Sequence, residues 1–155
     1  MSEAQLAAAV SAQYVWDERY VDAPVCRWYD GNGDGDFGDE NEVLYYANDA
    51  NMNTTALVNA SGSVVERYLY DPYGKVKVLN PDWSDDENGE SDFGNEILYA
   101  GYRLDSETGL YHVRHRYYHA TLGRWLSRDP AGLGPQGRRA ARGGVRRRGP
   151  AGAPR

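Results

Sequence analysis

The sequence predicts a mainly β protein built of successive antiparallel hairpins. Short aromatic and β-branched runs recur between turns of Asp, Asn and Gly, giving a strand–turn–strand unit at irregular spacing. Tyrosine outnumbers phenylalanine 13 to 2. A tyrosine buries its ring while its hydroxyl stays hydrogen-bonded or wet, which suits a thin sheet better than a thick dry core. The mean hydropathy of -0.75, with 18 glycines in 155 residues, points the same way and bounds the chain to one domain at most.

The elements follow in order. Residues 1–13 suit one or two helical turns. Tyr14-Val15-Trp16 and Arg19-Tyr20-Val21 read as strands. Pro24 cannot donate to a ladder and marks an edge or a break. An acidic Gly/Asp loop spans residues 30–42. Strands are expected over 43–46 and 54–58, with a polar turn at 48–53 between them. Residues 59–62 turn, and 64–70 form a strand. Asp71-Pro72-Tyr73-Gly74 has Asp at i, Pro at i+1 and Gly at i+3, the preferences of a type I turn. Residues 75–79 return, with Val76 and Val78 on one face and Lys75 and Lys77 on the other.

Residues 80–94 are acidic and poor in apolar side chains apart from Trp83 and Phe93, so they read as a solvated loop. The strand pattern resumes over 96–101, and 105–109 form a turn. Residues 110–118 read as one strand, with Tyr111, Val113, His115 and Tyr117 on one face. Residues 119–123 turn and 124–126 return. One or two hairpins cannot bury a face alone, so each expects neighbours. Five segments result: 1–13, strands over 14–80, an acidic loop over 81–95, a second strand-rich segment over 96–133, and an Arg/Gly/Pro-rich tail over 134–155.

Charge separates the tail from the rest. The net charge is -6, but all 23 acidic residues precede Gly134, while seven of the 17 basic ones follow it. The body therefore carries -13 and the tail +7. The tail has no hydrophobic period and is expected to be disordered. Non-specific contact with nucleic-acid phosphates is the one binding role it suggests. The plainer reading is an unselected extension, such as a frameshifted translation.

Cys26 is the single cysteine, which excludes an intramolecular disulfide and reads as a small apolar strand residue. No apolar run approaches the roughly 20 residues of a membrane span. The first residues lack the basic start of a secretory signal.

Asp30-Gly31-Asn32-Gly33-Asp34-Gly35-Asp36 matches the opening of a calcium loop, with oxygen side chains at positions 1, 3 and 5 and glycine at 6. Asp30, Asn32, Asp34 and Asp36 are the candidate ligands. Position 12 is Asn41 instead of a bidentate Glu, and strands flank the loop. A plain acidic hairpin loop is the competing reading. Calcium is the only ion the sequence offers a loop to, and no organic cofactor is expected. His112, His115 and His119 read as ordinary strand or turn residues, because His112 and His115 would face opposite sides of one strand.

Three runs carry a family resemblance. Tyr68-Leu69-Tyr70-Asp71-Pro72-Tyr73-Gly74 resembles a YD repeat, the Tyr-Asp unit of RHS proteins. The run from Tyr102-Arg103-Leu104-Asp105 to Gly109-Leu110-Tyr111 resembles the opening of the RHS repeat-associated core. Arg116-Tyr117-Tyr118 and Gly123-Arg124-Trp125-Leu126-Ser127-Arg128-Asp129-Pro130 are similar to that core's most diagnostic stretch. Residues 14–60 fit as degenerate repeats.

The resemblance implies a piece of a hollow β-shell that encloses a C-terminal toxin, in a family found in exported or cell-surface systems. Its partners would be the remaining shell strands and the toxin cargo. In several family members the core is an aspartyl autoprotease, using two aspartates and a nearby arginine. By that resemblance Arg116 is the site arginine and Asp129 the first aspartate. The second aspartate should follow in another Asp-Pro motif, but no Asp occurs after Asp129. Two close carboxylates share a proton, whereas one Asp beside an Arg simply ionises. The expectation is therefore a truncated shell fragment in which Arg116 and Asp129 form a salt bridge, not a complete enzyme. A calcium-dependent surface-binding module is the further alternative.

Overall fold

The computed structural model describes residues 12–130. The tail over 134–155 and nearly all of the helical reading over 1–13 lie outside the described residues. Ala12 and Gln13 already belong to the first strand.

The described chain is mainly β, as expected, and forms two antiparallel sheets. The first sheet has six strands: β1 (Ala12–Trp16), β2 (Pro24–Tyr29), β3 (Val43–Asn48), β4 (Thr54–Asn59), β5 (Val64–Tyr70) and β6 (Val76–Leu79). Their spatial order is their chain order, so the sheet is an uninterrupted meander. The second sheet contains β7 (Arg103–Asp105), β8 (Leu110–Val113), β9 (Arg116–His119) and β10 (Arg124–Trp125), again as neighbours in sequence.

One turn design recurs in the first sheet. At Asp49, Asn59, Asp71 and Asn80, the backbone carbonyl accepts from the N–H three residues on, and the backbone N–H donates to the carbonyl four residues on. The fourth residue of each turn has positive φ: Met52 at 61°, Gly62 at 83°, Gly74 at 89° and Trp83 at 75°. This is a three-residue hairpin loop closed by a left-handed residue and a bulge. The side-chain oxygens of Asp49, Asn59 and Asp71 each accept two further amides, from the residues two and four positions on. Asp and Asn are favoured there because a short side-chain oxygen reproduces the turn's own hydrogen bond.

Several sequence expectations are corrected. Residues 19–21 are not a strand but lie in the connection between β1 and β2, where Asp17 N–H reaches Ala23 O at 2.8 Å. Pro24, by contrast, marks the expected break: it opens β2, and its missing donor falls at a register shift opposite Trp16. The strand expected over 96–101 is replaced by a single bridge, Ile97 to Arg103, and a 3-10 turn at Tyr99–Gly101.

The strand expected over 110–118 is two strands. The chain reverses at Arg114, which has a φ of 53°, so Tyr111 lies opposite Tyr118. That pairing also removes the strand-alternation argument applied to His112 and His115.

The sheets share one core. Leu44, Leu57, Tyr68 and Val78 from the first sheet pack with Leu98, Tyr111 and Ala120. The Tyr99 ring lies between them, 5.9 to 6.4 Å from the rings of Tyr70, Tyr102, Tyr111 and Tyr118. Such aromatic pairs stabilise beyond their buried area by about 0.5–1.5 kcal/mol each.

Candidate functional site

The Asp71-Pro72-Tyr73-Gly74 turn is the seat on which the second sheet rests. Tyr111 donates to Gly74 O at 2.9 Å, and Tyr118 donates to Tyr73 O at 2.8 Å. A Cβ on Gly74 would meet the Tyr99 ring at 2.5 Å, and one on Gly123 would meet the Tyr73 ring at 2.8 Å. The two tyrosines expected on opposite faces of one strand are thus brought together on a turn about 40 residues earlier in the chain. Burial pushes the phenols of Tyr70 and Tyr111 well above their ordinary range, so both remain donors.

The Arg116 guanidinium lies 4.1 Å over the Trp125 ring. Its Nη2 donates to Ser127 O at 3.1 Å, and its Nη1 stands 3.8 Å from Asp129 Oδ2. Arg116 is mostly covered, whereas the Asp129 side chain is largely exposed. The two residues picked out by sequence therefore lie side by side. The aromatic face and the Ser127 carbonyl orient the arginine, and the ion pair is long and wet.

In the acidic loop, side-chain oxygens are engaged by the loop's own amides. Asp30 accepts from Gly33 and Gly35 N–H, Asn32 from Asp34, Asp34 from Asp36, and Asp36 from Gly38. Glu42 folds back to accept from Gly31 and Asp39 N–H. Among the described residues no group of three or more His, Cys, Asp or Glu is placed to hold a metal ion.

Sequence reasoning missed a buried polar layer. Arg27, Glu42, Thr54, Asn59, Glu66 and Asn95 are all buried. Glu66 accepts from the Tyr68 hydroxyl, from Ser91 Oγ at 2.7 Å and from Asp92 N–H at 2.9 Å. Arg27 donates to the carbonyls of Phe93 and Gly94. Together they fasten the end of the 80–94 loop, whose last residues are tied to the sheet and not solvated as expected. The signal was present in part: Glu66 alternates in phase with Tyr68 and Tyr70, on the inward face.

The described residues contain no helix long and apolar enough to cross a membrane. Residues 27–136 match the Teneurin YD-shell family. Toxin subunit YenC2 of Yersinia entomophaga is 33% identical over 108 residues, covering 70% of this chain and 10% of that protein. The tRNA3(Ser)-specific nuclease WapA of Bacillus spizizenii is 33% identical over 103 residues, covering 61% of this chain and 4% of that protein. Among solved structures, the Photorhabdus luminescens Tc holotoxin pore aligns with a TM-score of 0.54 and 25% identity, over 71% of this chain and 5% of that one. The TcdB2-TccC3 structure aligns with a TM-score of 0.52 and 25% identity, over 69% and 5%. The chain thus spans a tenth or less of the length of each of these relatives.

Proposed function

The chain belongs to the Teneurin YD-shell family, and on that premise we propose that it is a wall segment of a β-shell that encloses a toxin, working outside the cell. The observation that carries this is the in-order meander with one turn design repeated at Asp49, Asn59, Asp71 and Asn80. Such a sheet extends by adding further identical hairpins, because each turn is closed by its own side chain and each strand presents a ladder to the next. The relatives' names support the same reading. A tRNA nuclease and a toxin subunit share this segment, as a common wall around different cargoes requires.

In this reading Arg116 and Asp129 fix the end of the last hairpin and do not cut the chain. The Arg116 bond to Ser127 O and its 3.8 Å approach to Asp129 support that role, since they tie β9 to the residues that follow β10.

The test is a graft. Residues 27–130 replace the matching segment of Yersinia entomophaga toxin subunit YenC2, and the chimera is imaged by electron microscopy and exposed to protease. A closed particle whose C-terminal region resists digestion as in the parent supports the wall function. A folded chimera that leaves that region as accessible as in a heat-opened parent overturns it.

A further inference from the structure

A cleft of about 500 Å³ lies between β1 and β2 on one side and the β7–β8 side of the second sheet on the other. Its volume falls within the range of ligand sites, about 300–1,000 Å³. One wall is aromatic: Tyr14 and Trp16 stack with ring centroids 5.7 Å apart, and Trp16 remains 45% exposed.

The charges around the cleft do not cancel. Arg103 is paired with Glu96, and Arg114 with Asp22. Arg27 forms the floor at 1% exposure, and its donors reach only backbone carbonyls. Its Nε is buried with no hydrogen-bond partner among the described residues. Two carbonyls and the Tyr29 ring, 5.1 Å away, face the guanidinium, but no carboxylate pairs with it among the described residues, so a net positive field remains and low-dielectric walls focus it into the cleft.

Arg114 stands at the rim. Its side chain is 61% exposed, and among the described residues its hydrogen bonds are those from Nη2 to Asp22, so a guanidinium with five donors keeps capacity for a second carboxylate. It also holds a φ of 53°, a conformation that disfavours every residue except glycine.

We infer that this cleft docks an acidic peptide, with a carboxylate side chain taken by Arg114 and neighbouring apolar residues laid on Tyr14 and Trp16. The field of Arg27 selects the negative charge, and the aromatic wall supplies contact area. This does not depend on whether the chain walls in a toxin, since the cleft lies within the described residues.

The test is calorimetric titration of the full chain with acetyl-Phe-Glu-Phe-amide, its Gln twin and its Lys twin. The Glu peptide should bind at least tenfold more tightly than the Gln peptide, and the Lys peptide should give no heat, as loss of a charge-assisted contact requires. Arg114→Gly removes the guanidinium at a position whose backbone suits glycine, so the fold is kept, as circular dichroism should show. It should abolish the Glu-over-Gln preference, whereas Tyr14→Ala should weaken both peptides alike. The inference is overturned if the Glu and Gln peptides bind equally, if neither binds at millimolar concentration, or if Arg114→Gly leaves the preference intact.

Discussion

The Tyr111 hydroxyl donates to Gly74 O at 2.9 Å, joining the second sheet to the turn between β5 and β6 across 37 residues of chain. Tyr111 is 1% exposed, so the bond is made away from water. Tyr111→Phe leaves that carbonyl unpaired and should cost about 1–3 kcal/mol in urea unfolding. Tyr118→Phe should cost less, because its bond to Tyr73 O is solvent-exposed. Equal losses would show that the turn is held by ring packing instead.

Three glycines separate two kinds of constraint. Gly62 has a φ of 83° with open space around it, so Gly62→Ala should cost only the left-handed penalty of about 1–2 kcal/mol. A Cβ on Gly74 strikes the Tyr99 ring, and one on Gly101 strikes the Asp22 carbonyl. Both alanine variants should lose clearly more stability than Gly62→Ala, and Gly101→Ala most, because backbone cannot rotate aside. Met52→Gly should run the other way, stabilising by about 1 kcal/mol, since Met52 holds a φ of 61°. Thermal unfolding of the four variants gives the order.

Burial raises the Glu66 carboxyl above its ordinary 4.5, against the pull of hydrogen bonds from Tyr68, Ser91 and Asp92. The folded state therefore holds this proton more tightly than the unfolded chain. Its contribution to stability is complete below about pH 4.5 and is lost as pH rises through the folded value. Glu66→Gln has no charge to desolvate. Its stability relative to the parent should rise with pH above 4.5 and then level off. Denaturant midpoints measured from pH 4 to 8 check this, and a difference that falls with pH refutes it.

Arg116, mostly covered, and Asp129, largely exposed, make an ion pair at 3.8 Å. Asp129→Asn should change stability by less than about 1 kcal/mol. The pure parent chain should show no self-cleavage by mass spectrometry over days at pH 4 to 7. A specific fragment that disappears in Asp129→Asn would establish the autoprotease in its place.

Asp30 caps two amides of its own loop. Asp30→Ala should therefore loosen residues 30–42 and cost about 1–2 kcal/mol without calcium, a loss of the size seen when a side-chain cap is removed. Calcium calorimetry should give no heat that Asp30→Asn with Asp34→Asn removes. Heat lost in that double variant would make the loop a calcium site.

Much of the first sheet was legible because its information is local. The runs leading to β3, β4, β5 and β6 lie between Asp/Asn turns whose chemistry acts within five residues, and each strand pairs with the next one along. The residues 110–118 were not legible in the same way. Their alternation continues unbroken through Arg114, and nothing local marks the left-handed residue at which the chain reverses. Residues 96–101 carry strand-forming side chains, but Tyr99 is drawn instead into a cluster with rings from both sheets.

The sequence by itself determined the class of fold and the places of the turns over 48–53, 59–62 and 71–74. Only the tertiary structure decided that Tyr111 and Tyr118 seat on the Asp71 turn, that Glu66 and Arg27 fasten the 80–94 loop, and that a cleft opens beside Trp16 and Arg114. The reason is physical. A turn is closed by hydrogen bonds within a few residues, whereas burial of a carboxylate or a guanidinium depends on which distant segment arrives to cover it.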